Sequence, residues 1–218
     1  MRLEPARLHV FTDFDGTITR PDTLEFLTGR FGGGPELYRE TGRLLREGRL
    51  TLREGILRDL ESLTVPFAVA AAAVRAEVRV DPAFPVFARW CAARRIPLTI
   101  VSAGFVEIID LLLSPADRAG AEVRANRLEP GSWRCRFRDD SPDGHDKGAP
   151  LRAARQAGRR TVFVGDGLSD REPARVADLV FARRGRSLVE WCHEQSIGCV
   201  EFEGFEEVRA HLDARLAA

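Results

Sequence analysis

The sequence predicts an α/β fold: a parallel β-sheet covered by helices on both faces, with a block of small helices inserted after the first strand. Three observations carry this expectation. Short apolar, β-branched runs recur, at 8–12 ("LHVFT"), 97–101 ("PLTIV"), 160–164 ("RTVFV"), 178–182 ("DLVFA") and 198–202. Helical patterns separate the later runs. Between the first run and the second, the stretch 23–79 is helical in pattern throughout.

The elements follow in order. Residues 8–12 form a buried strand that stops at Asp13 and Asp15. Pro21 breaks the chain, and Asp22 is a helix N-cap. Leu24, Leu27 and Phe31 share one helix face, which Gly32-Gly33-Gly34-Pro35 closes. Leu37, Leu44 and Leu45 mark a second helix. Thr51 caps a third, with Leu52, Ile56, Leu57 and Leu60. Pro66 opens a fourth, and Pro82 lies beyond its end. Helices are expected at 85–94, 106–113, 148–157 and 173–177, and after each of the last two strands. The alternating segments 121–127 and 133–138 pair as a hairpin across "EPGS". The second strand ends at Ser102-Ala103-Gly104 and the third at Gly165-Asp166-Gly167.

Composition narrows the function. In 218 residues, 33 Lys+Arg balance 33 Asp+Glu, so no net field draws the chain to nucleic acid or an anionic membrane. Arg2, Glu4, Pro5 and His9 interrupt the N-terminal segment, which does not read as a signal peptide. The Ala-rich piece 67–74 is too short to span a bilayer. Cys91, Cys135, Cys192 and Cys199 are scattered without metal-ligand spacing and read as reduced structural thiols. The expectation is a cytoplasmic protein.

In parallel sheets of this kind ligands bind beyond the carboxyl ends of the strands. Those ends deliver Asp13 and Asp15, then Ser102, then Asp166 and Asp170. Two carboxylates side by side repel, and a hard divalent cation such as magnesium relieves the repulsion. Asp166 is a natural further ligand. Gly16 and Gly104 leave backbone N–H groups for an anion, Ser102 adds a hydroxyl, and Lys147 adds a charge at a helix start. Each residue also has a plain structural reading. Asp13 and Asp15 suit a solvated turn, Ser102 and Asp170 suit helix caps, and Lys147 alone is a surface lysine. His145 in a loop reads as solvated. Arg43, Arg46 and Arg49 read as a wet helix face, and Trp90, Phe105, Phe163 and Phe181 as core or pocket wall.

The ordered set resembles the haloacid dehalogenase superfamily of phosphatases. Asp13-Phe14-Asp15-Gly16-Thr17 matches its first motif, Ser102 after "TIV" its second, Lys147 in "HDKG" its third and "GDGLSD" (165–170) its fourth. The resemblance implies a Rossmann-like core, 1–20 and 82–218, with a helical cap at 21–81. It implies that Asp13 is the nucleophile, forming a phosphoaspartyl intermediate, and that Asp15 is the acid and base. Magnesium would be held by Asp13, the backbone carbonyl of Asp15 and Asp166, with Asp170 and Thr17 in or behind the ligand set. Ser102, Ala103, Gly104 and Lys147 would hold the phosphoryl group of a small phosphorylated metabolite.

The cap position matches the branch that contains phosphoserine phosphatase, and "DFDGTITRPD" is closest in look to its methionine-salvage 2-hydroxy-3-keto-5-methylthiopentenyl-1-phosphate phosphatase. Asp22 falls where phosphoserine phosphatases carry a longer, substrate-reading Glu. Ser169 stands where they usually show Asn, and "RDDSPDGHDKG" lacks the cysteines some salvage enzymes have there. A phosphotransferase or mutase on the same scaffold is the nearer alternative. A phospho-accepting signalling domain is the other, although such domains are shorter and have no insert after the first strand.

Overall fold

A computed structural model describes residues 4–217. The chain opens with β1 (Leu8–Thr12) and a two-residue strand β2 (Thr19–Arg20). Four helices follow: α1 (Thr23–Phe31), α2 (Gly34–Arg46), α3 (Leu52–Glu61) and α4 (Phe67–Glu77). β3 (Arg79–Val80) then pairs antiparallel with β2, so a short ribbon closes the four-helix insertion at its base. The remainder alternates: α5 (Phe84–Ala93), β4 (Leu98–Phe105), α6 (Val106–Leu112), α7 (Pro115–Arg118), β5 (Glu122–Leu128), β6 (Cys135–Arg136), α8 (Ala149–Gln156), β7 (Arg160–Gly165), α9 (Arg171–Val176), β8 (Leu179–Arg183), α10 (Ser187–Glu194), β9 (Cys199–Phe202) and α11 (Phe205–Ala217).

The sheet order is β6-β5-β4-β1-β7-β8-β9, parallel except for β6. β1 is central. Val10 stands in register with Leu98 on one side and Val162 on the other. Its neighbours and the helices on both faces exclude water, which is why Leu8, Val10 and Phe11 are apolar whichever face they point to. The chain builds out from β1 through β4 to β5, then crosses to β7 on the other flank. The crevice where the order reverses therefore opens at the carboxyl end of β1.

The insertion packs on the β4–α6–β5 flank. Leu27, Ile56, Leu60, Ala70 and Val74 form one cluster with Phe105, Ile108 and Leu128. α3 starts with a full capping box, Thr51 and Glu54 satisfying each other's backbone N–H. Arg53, the second residue of α3, stacks 4.2 Å over Phe137 and donates to the carbonyls of Ser141 and Asp139. That ties the insertion to the loop leading into Lys147.

Three differences from the sequence reading have physical causes. The ribbon β2–β3 and α7 were not anticipated, because two to four residues carry no periodicity. The strand expected to stop at residue 101 runs on to Phe105, with a register shift against β5 between Val101 and Phe105. The 121–138 hairpin exists as β5 and β6, but β5 also pairs with β4 and so extends the main sheet.

Candidate active site

Asp13 leaves β1 with its N–H still bonded to Val164 O at 2.8 Å, so the nucleophile candidate is fixed to the sheet. Phe14 is fully buried, and its carbonyl accepts from the N–H groups of Thr17 and Ile18, winding the loop back over the strand end. Gly16 sits at φ +76°, and a Cβ there would lie 2.4 Å from Asp166 Oδ2. Both the left-handed backbone and the close approach require glycine. Arg183, buried at the end of β8, donates to Gly16 O at 2.6 Å, Thr17 O at 2.9 Å and Glu203 O at 3.0 Å. It occupies the loop carbonyls from beneath.

Lys147 Nζ is 2.7 Å from Asp13 Oδ1 and 2.6 Å from Asp170 Oδ1, with Ser169 Oγ at 3.3 Å. Asp170 Oδ2 accepts from the N–H groups of Asp166 and Gly167, which shapes the turn after β7. Thr17 Oγ1 donates to Asp166 Oδ1 at 3.3 Å, and Arg186 Nε to Asp166 Oδ2 at 2.8 Å. Asp15 is turned elsewhere. Its Oδ1 accepts from the N–H and hydroxyl of Thr23, at the start of α1, and its Oδ2 from Ser102 Oγ at 3.3 Å. The two aspartates of the first motif thus face different partners, one the buried lysine and the other the helical insertion.

The charges explain why these groups need a guest. Burial, then Asp170, pushes the Asp13 carboxyl well above the usual range against the pull of Lys147. Burial and Asp170 push Asp166 up to about 7 against Arg186. Burial pulls the Lys147 pKa down, but Asp13 and Asp170 more than offset it and hold its ammonium charged. Carboxylate oxygens of Asp13, Asp166 and Asp170 lie within 4.8 Å of one another, all buried. Four acids (Asp13, Asp15, Asp166, Asp170) face two cations (Lys147, Arg186), so full ionisation leaves two negative charges. An oxygen-only donor set with that excess fits a hard dication. Asp170 has both oxygens engaged by Lys147 and backbone N–H groups, which suits a place behind the ligands.

A cavity of about 540 Å³ opens above Asp13 and Asp15, within the range of small-ligand sites. Ala103, Gly104, Asp166 and Arg186 form its floor. Asp22, Tyr38, Thr41 and Asp59 reach it from the insertion. Burial, then Asp22, pushes Asp15 up to about 7 against the Thr23 and Ser102 bonds, which is where an acid able to give and retake a proton should sit.

A family model described as haloacid dehalogenase-like hydrolase matches residues 10–175, spanning the Asp13 loop, Lys147 and Asp166. The chain belongs to this family. It is 31% identical to Pdp3-interacting factor 1 of Schizosaccharomyces pombe, over 96% of each chain. It is also 31% identical to polyol phosphate phosphatase PYP1 of Saccharomyces cerevisiae, over 95% of this chain and 93% of that one. A 2-hydroxy-3-keto-5-methylthiopentenyl-1-phosphate phosphatase of Microcystis aeruginosa is 28% identical over 93% and 96%. A substrate-bound phosphoserine phosphatase superposes with a TM-score of 0.71 at 20% identity, covering 94% of this chain and 98% of that one. This haloacid dehalogenase-like hydrolase is therefore an enzyme of the phosphatase kind, on the core that the four motifs implied.

Within the hydrolase the structure brings Asp13, Asp15, Thr17, Ser102, Ala103, Gly104, Lys147, Asp166 and Asp170 to one crevice. Several plain readings are corrected. Ser102 does not cap a helix, because α6 begins only after Phe105; its hydroxyl instead joins Asp15 and accepts from Gly104 N at 2.8 Å. The Gly104 N–H expected to be open is thus occupied by Ser102. Asp170 places no side-chain bond on α9. His145 is 3% exposed, not solvated, and bonds Ser102 O at 2.9 Å. Asp22 caps α1 through Leu24 N and Glu25 N and also lines the cavity.

Arg43 and Arg49 pair with Glu47 on the surface, whereas Arg46 reaches the cavity. The sequence reading missed Thr23, Arg183, Arg186, Tyr38 and Asp59. Arg183 and Arg186 follow an apolar run and were findable by the strand-end rule. The others depend on how the insertion folds back, which leaves no local signal.

Proposed function

We propose that this enzyme is a magnesium-dependent phosphomonoesterase that passes the phosphoryl group of a small metabolite to Asp13 and then to water. The observation that carries the reading is the division of labour between the two aspartates. Asp13 is bonded to the Lys147 ammonium, 2.7 Å away, while Asp15 faces Thr23 and Ser102 with its pKa raised to about 7.

In the first step an Asp13 oxygen bonds to phosphorus, the ester P–O bond breaks, and Asp15 gives its proton to the departing alkoxide. In the second, water loses a proton to Asp15 and attacks phosphorus, releasing inorganic phosphate and restoring Asp13. Lys147, the Ser102 hydroxyl, and the N–H groups at Ala103 and Gly104 hold the phosphoryl oxygens, which requires Ser102 and Gly104 to exchange their mutual bond for the substrate. Magnesium would be held by Asp13, the carbonyl of Asp15 and Asp166, with Thr17 and Asp170 fixing Asp166, and would supply charge neutralisation at the phosphoryl oxygens.

The cavity size supports a small leaving group. The substrates named for the relatives, polyol phosphates and the methylthiopentenyl phosphate of methionine salvage, are the first to try. Four free cysteines support a reducing, cytoplasmic setting.

The test is phosphate release from a panel containing those esters, phosphoserine and an aryl phosphate, with and without chelator. Turnover is expected to vanish with chelator. Asp13→Asn is expected to lower kcat at least about a thousand-fold, from loss of the nucleophile. Retained turnover in Asp13→Asn ends the proposal. Product analysis with a competing alcohol separates hydrolysis from phosphotransfer.

A further inference from the structure

The wall of the cavity opposite Asp13 is not used by the steps above. Its polar groups come from the insertion, and Asp59 on α3 is unlike the rest. It is 2% exposed, yet no cation among the described residues lies within ion-pair distance. Its neighbour Arg58 turns outward to Glu40 at 2.8 Å. Its one side-chain hydrogen bond joins Oδ1 to Thr41 Oγ1 at 3.0 Å. That hydroxyl is also 3.0 Å from Leu37 O, and it has a single proton to give. Asp59 Oδ2 has no donor among the described residues and is not one of their sealed-off polar atoms, so it opens to the cavity. Burial pushes this carboxyl up to about 6 against the Thr41 bond. A carboxylate with its free oxygen facing the cavity takes a donor from whatever fills that cavity, water or a ligand.

The shape of the unmet need defines the ligand. Asp59 wants hydrogen-bond donors, and a hydroxyl supplies one without adding charge. A carboxylate set directly against Asp59 would meet a second negative charge, with Asp22 adding to the repulsion and Arg58 turned away to Glu40. An ammonium is the competing donor, and it would share the cavity with Arg46 and Arg186. A chain of hydroxyls both gives and accepts, and so suits a wall that carries Asp59 beside the Tyr38 phenol. Burial and the nearby Asp22 keep the Tyr38 phenol protonated.

We infer that Asp59, set against Thr41, reads a hydroxyl of an uncharged polyhydroxy leaving group and thereby makes the site reject leaving groups that carry a carboxylate. The inference rests on the phosphomonoesterase reading.

The experiment uses the magnesium-supplied enzyme and two matched pairs that differ only at the far end. These are glycerol 3-phosphate against 3-phosphoglycerate, and erythritol 4-phosphate against 4-phosphoerythronate. Phosphoethanolamine tests the ammonium, and p-nitrophenyl phosphate, which has no hydroxyl to read, is the reference. The wild type is expected to favour the polyol ester of at least one pair by at least about tenfold in kcat/KM, and to favour it over phosphoethanolamine. Asp59→Asn is expected to raise KM for that polyol ester about tenfold while leaving aryl phosphate kinetics within about twofold.

Equal or better turnover of both acids, or of phosphoethanolamine, by the wild type overturns the assignment whether or not the variant folds. So does an Asp59→Asn defect that is equal on polyol and aryl esters, which is what a mere tie between α2 and α3 would give. No turnover of any ester, aryl phosphate included, overturns the phosphomonoesterase reading and this inference with it.

Discussion

At the scale of single residues the site is a set of side chains whose neighbours decide their protonation. His145 illustrates it. A carbonyl can only accept, so His145 Nδ1 must carry the proton that it donates to Ser102 O. Burial lowers its pKa from 6.5 to about 4, and Lys147 and Arg138 act in the same direction. The folded protein therefore binds fewer protons than the unfolded chain between those values. Its contribution to stability is complete above about pH 6.5 and is lost as pH falls toward 4. His145→Gln is expected to flatten the loss of Tm over that window while costing about 1 kcal/mol at pH 7.5. Parallel Tm–pH curves for the two proteins would refute the assignment. Asp22→Ala is expected to remove about 1 kcal/mol of α1 capping and to impair the preferred ester more than an aryl phosphate in kcat/KM. Equal impairment would leave Asp22 as a cap alone. The residues that the motifs named were legible because strand ends present them whatever surrounds them. His145 was misread because solvation of a loop residue depends on what covers it, and here the β4 end does.

Whole elements show how the strand ends become a site. β8 contributes no catalytic group, yet its last residue, Arg183, answers three carbonyls, two of them in the Asp13 loop. Arg183→Met keeps the buried stem and removes the donors. It should cost about 2–4 kcal/mol by leaving those carbonyls without partners, and it should lower kcat through misplacement of the loop. Denaturant unfolding and aryl phosphate kinetics measure both, and an unchanged midpoint would show that water replaces the guanidinium. Most helices and strands were readable from pattern, down to the Asp22 and Thr51 caps. The β2–β3 ribbon was not, because pairing of Thr19 with Val80 joins positions a whole insertion apart. Neither was the run of β4 through Ser102 to Phe105. There the β5 partner, not local sequence, holds the chain extended.

For the molecule as a whole, the unbalanced acids predict a linkage between metal and stability. A dication that binds the folded form at about 100 times its Kd adds about 2.7 kcal/mol. Magnesium should raise Tm of the wild type, and Asp166→Asn should abolish most of that rise without large loss of Tm in chelator. An equal rise in both proteins would place the ion elsewhere. The insertion closes over the crevice while Arg53 ties it to the loop before Lys147, so the insertion and the segment that carries Lys147 are mechanically joined.

Sequence by itself determined the fold class, the helical insertion and the order in which the acids and the hydroxyl leave the strands and the lysine precedes α8, since each is a local consequence of periodicity and of strand and helix ends. Only the tertiary structure decided which groups meet. Asp13 goes to Lys147, Asp15 to Thr23, and Asp59 is left facing a cavity without a counter-ion. Burial and partnership are properties of distant chain segments brought together, and no stretch of sequence holds them.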